Sequence, residues 1–427
     1  MKLLNAKGVR DFSPEDKMIR QEIVGILKET FEQHGFNPLE TPLLERFNIL
    51  ASKYAGGDEI LKEIFTLTDQ GDRKLALRYD LTVPFARYIG MNPDVKMPFK
   101  RYQIGRVYRD GPIKKGRYRE FYQCDVDVVG TKDMAADAEL LSIAADVFEK
   151  IGIDVVIKLN SRKILDGMME VAGVPKKKWV DTILTIDKLE KQGEVAVRKE
   201  LIQKGLKTDS IDKLFGLIVK GKNNAETLAN LKKELKEGIG KKGLEEIENL
   251  LKYSKNMGTD LDLDPSLARG LAYYTGPVFE VFLKDSNITS AIAAGGRYDN
   301  MIQEFLDSKE EYPAVGISFG LELINDVLNE TQGERKKSVV KVFVIPIKTK
   351  DESMKITRKL RDAGIKTDMD LMDRSISKNL DFANKYNIPY VLFVGPKELE
   401  QGKLKLKDMK SGEEEMFSVE KVIKKLR

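Results

Sequence analysis

Two neighbouring segments decide the fold: FKRYQIGRVY at residues 99–108 and YREFYQCDVDVV at residues 118–129. Both are rich in aromatic and β-branched residues, which favour extended backbone, and turn-forming residues flank them. The stretch between them, residues 109–117, is basic and short enough to join the two as a hairpin. The sequence therefore predicts two antiparallel strands joined by a basic loop.

A helix is predicted upstream of this hairpin. Ser13 is placed to cap it, and Pro14 suits the first helical position, where no backbone N–H is needed. An apolar face at helical spacing follows, made of Ile19, Ile23, Ile26, Leu27 and Phe31. His34 then ends the helix, with Gly35 as the stop.

Downstream of the hairpin, a second helix is predicted around residues 140–148. Residues 161–257 become rich in Lys and Glu, poor in aromatics and helical in period, which indicates an inserted helical module. Extended structure returns at residues 277–283 and 291–294, and a helix is predicted from about residue 315 to residue 328. Two parts of one domain, residues 1–160 and 258–332, therefore flank the insertion.

The C-terminal part, residues 339–427, follows a polar linker at residues 333–338. It opens with a β-branched run at residues 339–347, which is typical of a buried strand. Predicted helices near residues 351–363 and 375–386 alternate with short strands. This alternation predicts a small α/β domain.

The composition indicates a globular protein of several domains. The chain has 427 residues, of which 41% are hydrophobic and 33% charged, with a net charge of only +5. The sequence shows no secretion signal at its N-terminus and no apolar run that would span a membrane, so a cytoplasmic location is expected. Cys124 is the only cysteine, which excludes an internal disulfide and a cysteine-based zinc site.

His34 is the only histidine. This excludes a Ser-His-Asp triad, a histidine general base and a histidine metal site. Any catalysis must therefore depend on arginines, carboxylates, tyrosines, the backbone or a metal ion bound without histidine.

The strongest candidate site is the hairpin itself. Five arginines fall between residues 101 and 119 among interleaved aromatics, and guanidinium groups suit phosphate oxygens and stacked bases. Gln123 and Asp127 share a face, since four residues are two strand periods. A solvated basic hairpin remains an equal alternative on residue types alone.

Three further segments carry weaker signals when each is taken by itself. Asp80 and Thr82 would point the same way on an extended segment and could hold an ammonium group, although a surface strand end is the commoner explanation. Arg269 precedes a glycine, which would let the backbone approach a ligand closely. Tyr273 and Tyr274 could offer hydroxyl groups to a pocket, or they could simply pack in the core. The string AAGGRYD at residues 293–299 suits a nucleotide pocket or merely a tight turn.

These four segments, in this order, resemble the histidyl-tRNA synthetase family of class II synthetases. The strings RGLAYYTG at residues 269–276, AGGRYD at residues 294–299 and GRYREFYQ at residues 116–123 carry the resemblance. It implies an α+β catalytic domain with a six- or seven-stranded antiparallel sheet flanked by helices. Residues 339–427 resemble the anticodon-binding domain, and residues 41–45 resemble the family's motif 1, which implies a homodimer.

The resemblance also implies a reaction and a set of roles. Histidine would attack the α-phosphate of ATP, with Mg²⁺ present, and the histidyl group would then pass to tRNA(His). Histidine-binding roles fall on Asp80, Thr82, Gln123, Asp127, Tyr273, Tyr274, Arg297 and Tyr298. ATP-binding roles fall on Arg109, Arg117 and Arg269, of which Arg109 and Arg269 are the expected catalytic groups.

One departure from the family pattern keeps an alternative open. The family's motif 3 reads Gly-Leu-Glu-Arg, and its arginine contacts ATP, but here Leu323 stands in the last place. Either ATP binding is weaker, or another cation such as Arg117 or Arg297 compensates, or the chain is impaired. The alternative is a non-catalytic synthetase-like protein that senses tRNA or regulates another enzyme.

Overall fold

The computed structural model describes residues 2–51, 61–113, 118–269, 273–286, 288–331 and 336–427. The chain divides into two units, one made of Met1–Arg10 with Ile23–Leu328 and the other of Asp11–Glu22 with Asn329–Arg427. Within the described ranges, no helix combines the length and apolar character needed to cross a bilayer.

The strands of the described residues are short except at the centre of the large sheet. In chain order they are β1 Asn37–Pro38, β2 Leu44–Arg46, β3 Thr66–Thr68, β4 Lys74–Leu77, β5 Phe99–Tyr108, β6 Glu120–Val129, β7 Val155–Ser161, β8 Asp262–Leu263, β9 Pro277–Leu283, β10 Ala293–Arg297, β11 Ala314–Gly320, β12 Val342–Pro346, β13 Thr367–Met369, β14 Tyr390–Val394, β15 Leu404–Asp408 and β16 Glu414–Phe417.

The helices of the described residues are interspersed among these strands along the sequence. They are α1 Pro14–Gln33, α2 Phe47–Leu50, α3 Thr82–Met91, α4 Met134–Ile151, α5 Arg162–Val171, α6 Trp179–Ile186, α7 Leu189–Gln192, α8 Glu194–Gln203, α9 Thr208–Leu217, α10 Asn224–Glu234, α11 Gly238–Asn256, α12 Met301–Phe305, α13 Leu321–Thr331, α14 Lys350–Asp362, α15 Ile376–Lys385, α16 Pro396–Glu400 and α17 Val419–Leu426.

The predicted hairpin is confirmed as the centre of the first unit. β5 and β6 pair antiparallel over ten residues each, with Arg101 opposite Asp127 and Gln103 opposite Asp125. β6 begins two residues later than the sequence indicated, because Tyr118 and Arg119 leave the ladder at the end of the connecting loop. The hairpin sets the register for the rest of the large sheet.

The large sheet has eight strands in the order β1-β5-β6-β11-β10-β9-β7-β8. The six central strands are antiparallel, as the resemblance implied, but β1 pairs parallel with β5 and β8 pairs parallel with β7. The predicted number of six or seven was therefore too low. Each extra edge strand has only two residues, too few to leave a periodic pattern in the sequence.

The helix predicted from residue 315 was wrong in its first six residues. These residues belong to β11, which lies between β6 and β10, and the helix begins at Leu321. A central strand is covered on both faces and loses the simple polar alternation of an edge strand, so its apolar run resembled a buried helix. Gly316 and Gly320 were the available signal, since glycine disfavours a helix interior.

One face of the large sheet is covered by α1 and α4. Phe319 of β11 is fully buried there, with its ring centroid 5.6 Å from Phe31 of α1 and 5.8 Å from Phe148 of α4. The predicted start of α1 is confirmed, because Ser13 Oγ accepts a hydrogen bond from Asp16 N at 3.1 Å. The opposite face of the sheet therefore remains available for a site.

The predicted end of α1 is confirmed as well. Gly35 has φ 76°, the left-handed conformation that stops a helix. His34 Nε2 lies 2.8 Å from Asp146 Oδ2 of α4, so the chain's only histidine ties two helices together. This contact gives it a structural role.

The segment predicted as a helical module contains seven helices, α5 to α11, between Arg162 and Asn256. In the second unit, β13, β12 and β14 are parallel, and β15 and β16 extend the same sheet in antiparallel fashion. α14 and α15 follow β12 and β13, which confirms the predicted α/β character of the C-terminal part.

The Phe319 contacts yield a stability prediction. Phe319→Ala removes a fully buried ring and leaves a cavity between the sheet and two helices, so we expect the free energy of unfolding to fall by about 3–5 kcal/mol. Urea denaturation measures this difference. Val195→Ala, at a side chain that is 84% exposed, is the control and should change it by less than about 0.5 kcal/mol.

Candidate functional site

A cavity of about 450 Å³ opens on the face of the large sheet opposite α1 and α4. Its floor is formed by β6, β11 and β10, and its walls come from the chain before α3 and from residues 269 and 273–274. The side chains with hydrogen-bonding groups that line it are Glu63, Tyr79, Asp80, Thr82, Arg109, Tyr122, Gln123, Asp125, Asp127, Arg269, Tyr273, Tyr274, Tyr298 and Ser318.

Two glycines give the cavity its depth. Gly316 of β11 lies opposite Asp127 on one side and opposite Gly296 of β10 on the other. A Cβ at Gly316 would overlap the Asp127 carboxylate, and one at Gly296 would lie 2.8 Å from the Tyr274 ring. Because neither glycine has a side chain, the Asp127 carboxylate lies over Gly316 and the Tyr274 ring lies over the neighbouring Gly296.

Asp127 is held from two sides. Its Oδ2 lies 2.8 Å from Arg101 Nη2 across the strand pair, and its Oδ1 accepts a 2.6 Å hydrogen bond from the Tyr298 hydroxyl. Burial raises the pKa of Asp127, and Arg101 and Tyr298 counteract that rise. The carboxylate is therefore fixed in place, and its oxygens keep acceptor capacity for a donor in the cavity.

Asp80 and Thr82 line the same cavity, but not on an extended segment as predicted. Thr82 begins α3, and Asp80 Oδ1 accepts a 3.0 Å hydrogen bond from Val83 N in its first turn. Asp80 and Thr82 lie close together because both are at the N-terminus of α3, and not because side chains alternate along a strand. Burial raises the pKa of Asp80, partly offset by this bond and by the charge of Arg109.

Arg109 follows β5 directly and lies between two rings. Its guanidinium carbon is 4.3 Å from the Tyr79 ring centroid and 4.9 Å from that of Phe121, and Nε donates to Tyr79 O at 3.3 Å. Stacked planes restrict a guanidinium to motion within its own plane. Arg109 thus presents a fixed positive charge to the cavity.

Arg269 forms an ion pair with Glu280 of β9, and both side chains are largely buried. Burial would lower the pKa of Arg269, but Tyr274 and Glu280 outweigh it and raise the pKa. Arg269 also lines a second cavity of about 760 Å³ beside the first. It is therefore a permanently charged group at the junction of two cavities.

The remaining polar groups complete the lining. Gln123 donates through Nε2 to Ser318 Oγ at 3.4 Å, while its Oε1 is buried and has no hydrogen-bond partner. Tyr273 has its ring centroid 4.8 Å from Tyr274 and 6.3 Å from Tyr298. Burial raises the pKa of Tyr273 and of Tyr298 well above the ordinary value, so both remain protonated donors.

Arg297 does not close this cavity, and that expectation needs correction. It is 1% exposed on the other side of β10, where it forms an ion pair with Asp137 of α4 and donates to Thr131 O at 2.8 Å. Because successive side chains of a strand alternate, Gly296 faces the cavity and Arg297 faces the helix. Arg297 therefore cannot compensate for Leu323.

Arg117 and residues 270–272 lie outside the described residues. Leu323 is described, on the first turn of α13, and its Cδ1 would be 3.8 Å from a Cβ at Gly320, a residue of the cavity. An apolar side chain thus lies next to Gly320, although Leu323 itself does not line the cavity. Among the described residues, Arg109 and Arg269 are the arginines that line the cavity.

Sequence reasoning missed four groups that the fold brings into this region: Arg101, Asp125, Glu280 and Ser318. Asp125 could have been found, because it lies between Gln123 and Asp127 at strand spacing on the same face. Ser318 could not, because residues 315–320 were assigned to a helix. Glu280 depended on the register of β9, which the sequence does not specify.

Two known protein families match most of the chain. A model of histidyl-tRNA synthetase matches residues 8–324, and a model of the anticodon-binding domain matches residues 341–427. Histidine–tRNA ligase 1 of Bacillus cereus is 44% identical over 97% of this chain and 95% of its own length. The histidine–tRNA ligase of Bacteroides fragilis is 42% identical over 98% of this chain and 97% of its own length.

Solved structures agree. A histidyl-tRNA synthetase from Nostoc sp. PCC 7120 superposes with a TM-score of 0.89 at 30% identity, covering 100% of this chain and 99% of that one. A Bacillus halodurans protein described as an ATP phosphoribosyltransferase regulatory subunit/histidyl-tRNA synthetase has a TM-score of 0.77 at 22% identity, covering 92% and 98%. The second likeness concerns the fold alone.

The Arg297–Asp137 pair yields a second stability prediction. Burial raises the pKa of Asp137 to about 6 although Arg297 opposes the rise. Asp137→Asn removes the fully buried carboxylate and leaves Arg297 only its 3.2 Å contact with the partly exposed Asp299, which should lower the free energy of unfolding by up to about 3–5 kcal/mol. Denaturant titration at pH 8 measures it. Glu311→Gln, the control, breaks an ion pair with Lys132 whose side chains are 65% and 63% exposed, and should leave the free energy of unfolding nearly unchanged.

Proposed function

Because the chain belongs to the histidyl-tRNA synthetase family, we propose that its central cavity is where histidine and ATP meet. The chain is a histidine–tRNA ligase: it activates histidine with ATP and transfers the histidyl group to tRNA. The non-catalytic alternative has no support among its relatives. One observation carries the assignment of the site: Asp80, Thr82, Arg109, Gln123, Asp127, Arg269, Tyr273, Tyr274 and Tyr298 all line the same cavity.

The amino acid would lie over the glycine floor. Asp127 and Tyr274, on adjacent positions, would each hydrogen-bond one nitrogen of the imidazole ring. Asp80, Thr82 and Gln123 would accept from the α-ammonium group, and the unpaired Oε1 of Gln123 supports this role. An amino acid without ring nitrogens would leave buried polar groups unpaired, which is the basis of strong discrimination.

Adenylation would depend on the two arginines. A carboxylate is already a nucleophile at neutral pH, so no proton needs to be removed before it attacks the α-phosphate. The site must align the reactants and neutralise charge that grows on the phosphate oxygens. Arg109, fixed between two rings, and Arg269, held by Glu280, would supply that charge, and neither role needs a histidine.

We infer that Mg²⁺ accompanies ATP. Among the described residues no group of three His, Cys, Asp or Glu side chains could hold a metal ion. Mg²⁺ keeps several waters and binds substrate phosphates with one or two carboxylates. Glu63 lines the cavity and would be such a carboxylate; the ion would neutralise phosphate charge.

We further infer that the partner RNA is tRNA(His) and that residues 341–427 bind its anticodon. A homodimer is proposed through the motif 1 region, where Leu43 and Leu44 are each 43% exposed and would gain from burial. A cytoplasmic location is proposed from the family's part in protein synthesis.

Exchange of pyrophosphate into ATP, dependent on histidine, tests the function and the effect of Leu323. We expect exchange in the native chain. Leu323→Arg should lower the KM for ATP by about tenfold, because a charge-assisted hydrogen bond to phosphate contributes about 1.5–3 kcal/mol. Leu323→Met, of similar size and without charge, should leave it unchanged. An absence of histidine-dependent exchange in the native chain would refute the activity.

Arg269→Ala tests the role of that guanidinium. We expect kcat for exchange to fall at least about a hundredfold, because the charge stabilises the transition state. Loss of the largely buried pair with Glu280 should also lower the thermal unfolding midpoint, so exchange is measured well below the midpoint of the variant. Arg269→Lys should recover only part of the rate, since a single ammonium cannot bridge two oxygens as a fork does. Loss of less than about tenfold, or 1.4 kcal/mol, would show that the charge is not used there.

A further inference from the structure

Asp125 is a buried carboxylate in the cavity that the proposed mechanism does not use. It is 4% exposed, it lies opposite Gln103 on β5 and Ser318 on β11, and it lines the cavity between Gln123 and Asp127. Its Oδ1 is buried and has no hydrogen-bond partner. A buried acceptor without a donor costs free energy, so its persistence here needs a reason.

The charges around Asp125 do not balance. Asp80 and Asp127 are its acidic neighbours, and Arg101 and Arg78 are the basic ones. Arg101 is already paired with Asp127, and Arg78 is occupied by backbone oxygens, with Nη1 donating to Thr41 O at 2.7 Å. Asp127 is thus paired with Arg101, and Asp80 lies in the field of Arg109, whereas neither Arg101 nor Arg78 is paired with Asp125.

We propose that Asp125 is a further histidine-binding residue, whose carboxylate accepts a hydrogen bond from the α-ammonium group beside Asp80. This rests on the proposed assignment of the cavity to histidine. An ammonium group brings three donors and one positive charge. Asp80 already accepts from Val83 N, and Gln123 offers a neutral oxygen, so a second carboxylate meets both the donors and the charge.

Binding through Asp125 would release a proton. Burial raises the pKa of Asp125 to about 7, Arg101 lowers it, Asp127 raises it, the Ser318 hydroxyl lowers it and Asp80 raises it. In the empty site the carboxyl group is thus partly protonated near neutral pH. The ammonium ion favours the carboxylate, so the proton leaves to solvent as the ligand enters, and affinity rises as the pH increases through about 7.

Calorimetric titration with histidinol tests this, because histidinol keeps the ammonium and the imidazole but lacks the carboxylate. Asp125→Asn keeps the shape and removes the charge. We expect it to weaken histidinol binding at least about tenfold, consistent with loss of a charged hydrogen bond. Imidazolelactate, which has a hydroxyl in place of the ammonium, should bind both proteins alike. Asp146→Asn, a lost carboxylate outside the cavity, should bind histidinol as the native chain does.

The number of protons released on histidinol binding is a second test, because it would not change if Asp125 had only a structural role. Titrations at pH 7 in two buffers of different ionisation enthalpy should show protons released by the native chain and fewer by Asp125→Asn. Ser318→Ala keeps the carboxylate but removes a group that lowers its pKa, so maximal release should move to higher pH.

Several outcomes would overturn the role of Asp125. One is that Asp125→Asn and the native chain bind histidinol with the same affinity and release the same number of protons. Another is that Asp125→Asn weakens the binding of histidinol and of imidazolelactate by the same factor. If Asp125→Asn does not fold, an unshifted release profile in Ser318→Ala decides against the role. Failure of the native chain to bind histidinol would instead refute the assignment of the cavity itself, and the role of Asp125 with it.

Discussion

The ion pair between Arg101 and Asp127 is the constraint on which the site depends. Both side chains are buried in the central strand pair, and each would be very costly to bury alone. The pair keeps a carboxylate charged and immobile on the floor of a cavity. Gly316 opposite it is equally necessary, because any larger residue there would displace the carboxylate.

The positive side of the site is organised by different means. Arg109 is restrained by stacking between Tyr79 and Phe121, and Arg269 is restrained by its ion pair with Glu280. Although burial would lower the pKa of Arg269, Tyr274 and Glu280 raise it, so this guanidinium keeps its proton. A reaction that needs alignment and charge neutralisation can proceed on such groups without a general base.

β10 shows how a single strand serves two purposes. Gly296 opens the cavity on one face, while Arg297 on the other face anchors α4 through Asp137. Gly296 therefore gives the cavity space because it has no side chain, and Arg297 contributes to stability through its side chain. Leu323, beside Gly320 of the cavity, carries no charge, so Arg109 and Arg269 are the arginines of the described residues that line the cavity.

The sequence by itself determined the hairpin of β5 and β6, the limits of α1 and the α/β character of the C-terminal part, and its family motifs contained nine of the residues that line the cavity. These follow from local signals, namely strand-forming composition, caps and ordered motifs, which need no knowledge of distant neighbours. Tertiary structure alone decided that residues 315–320 form a strand and that Arg297 turns away from the cavity. It also decided that Asp125 meets Ser318 and that Arg269 meets Glu280. These depend on strand order and register, and register is fixed by pairing between segments far apart in the chain.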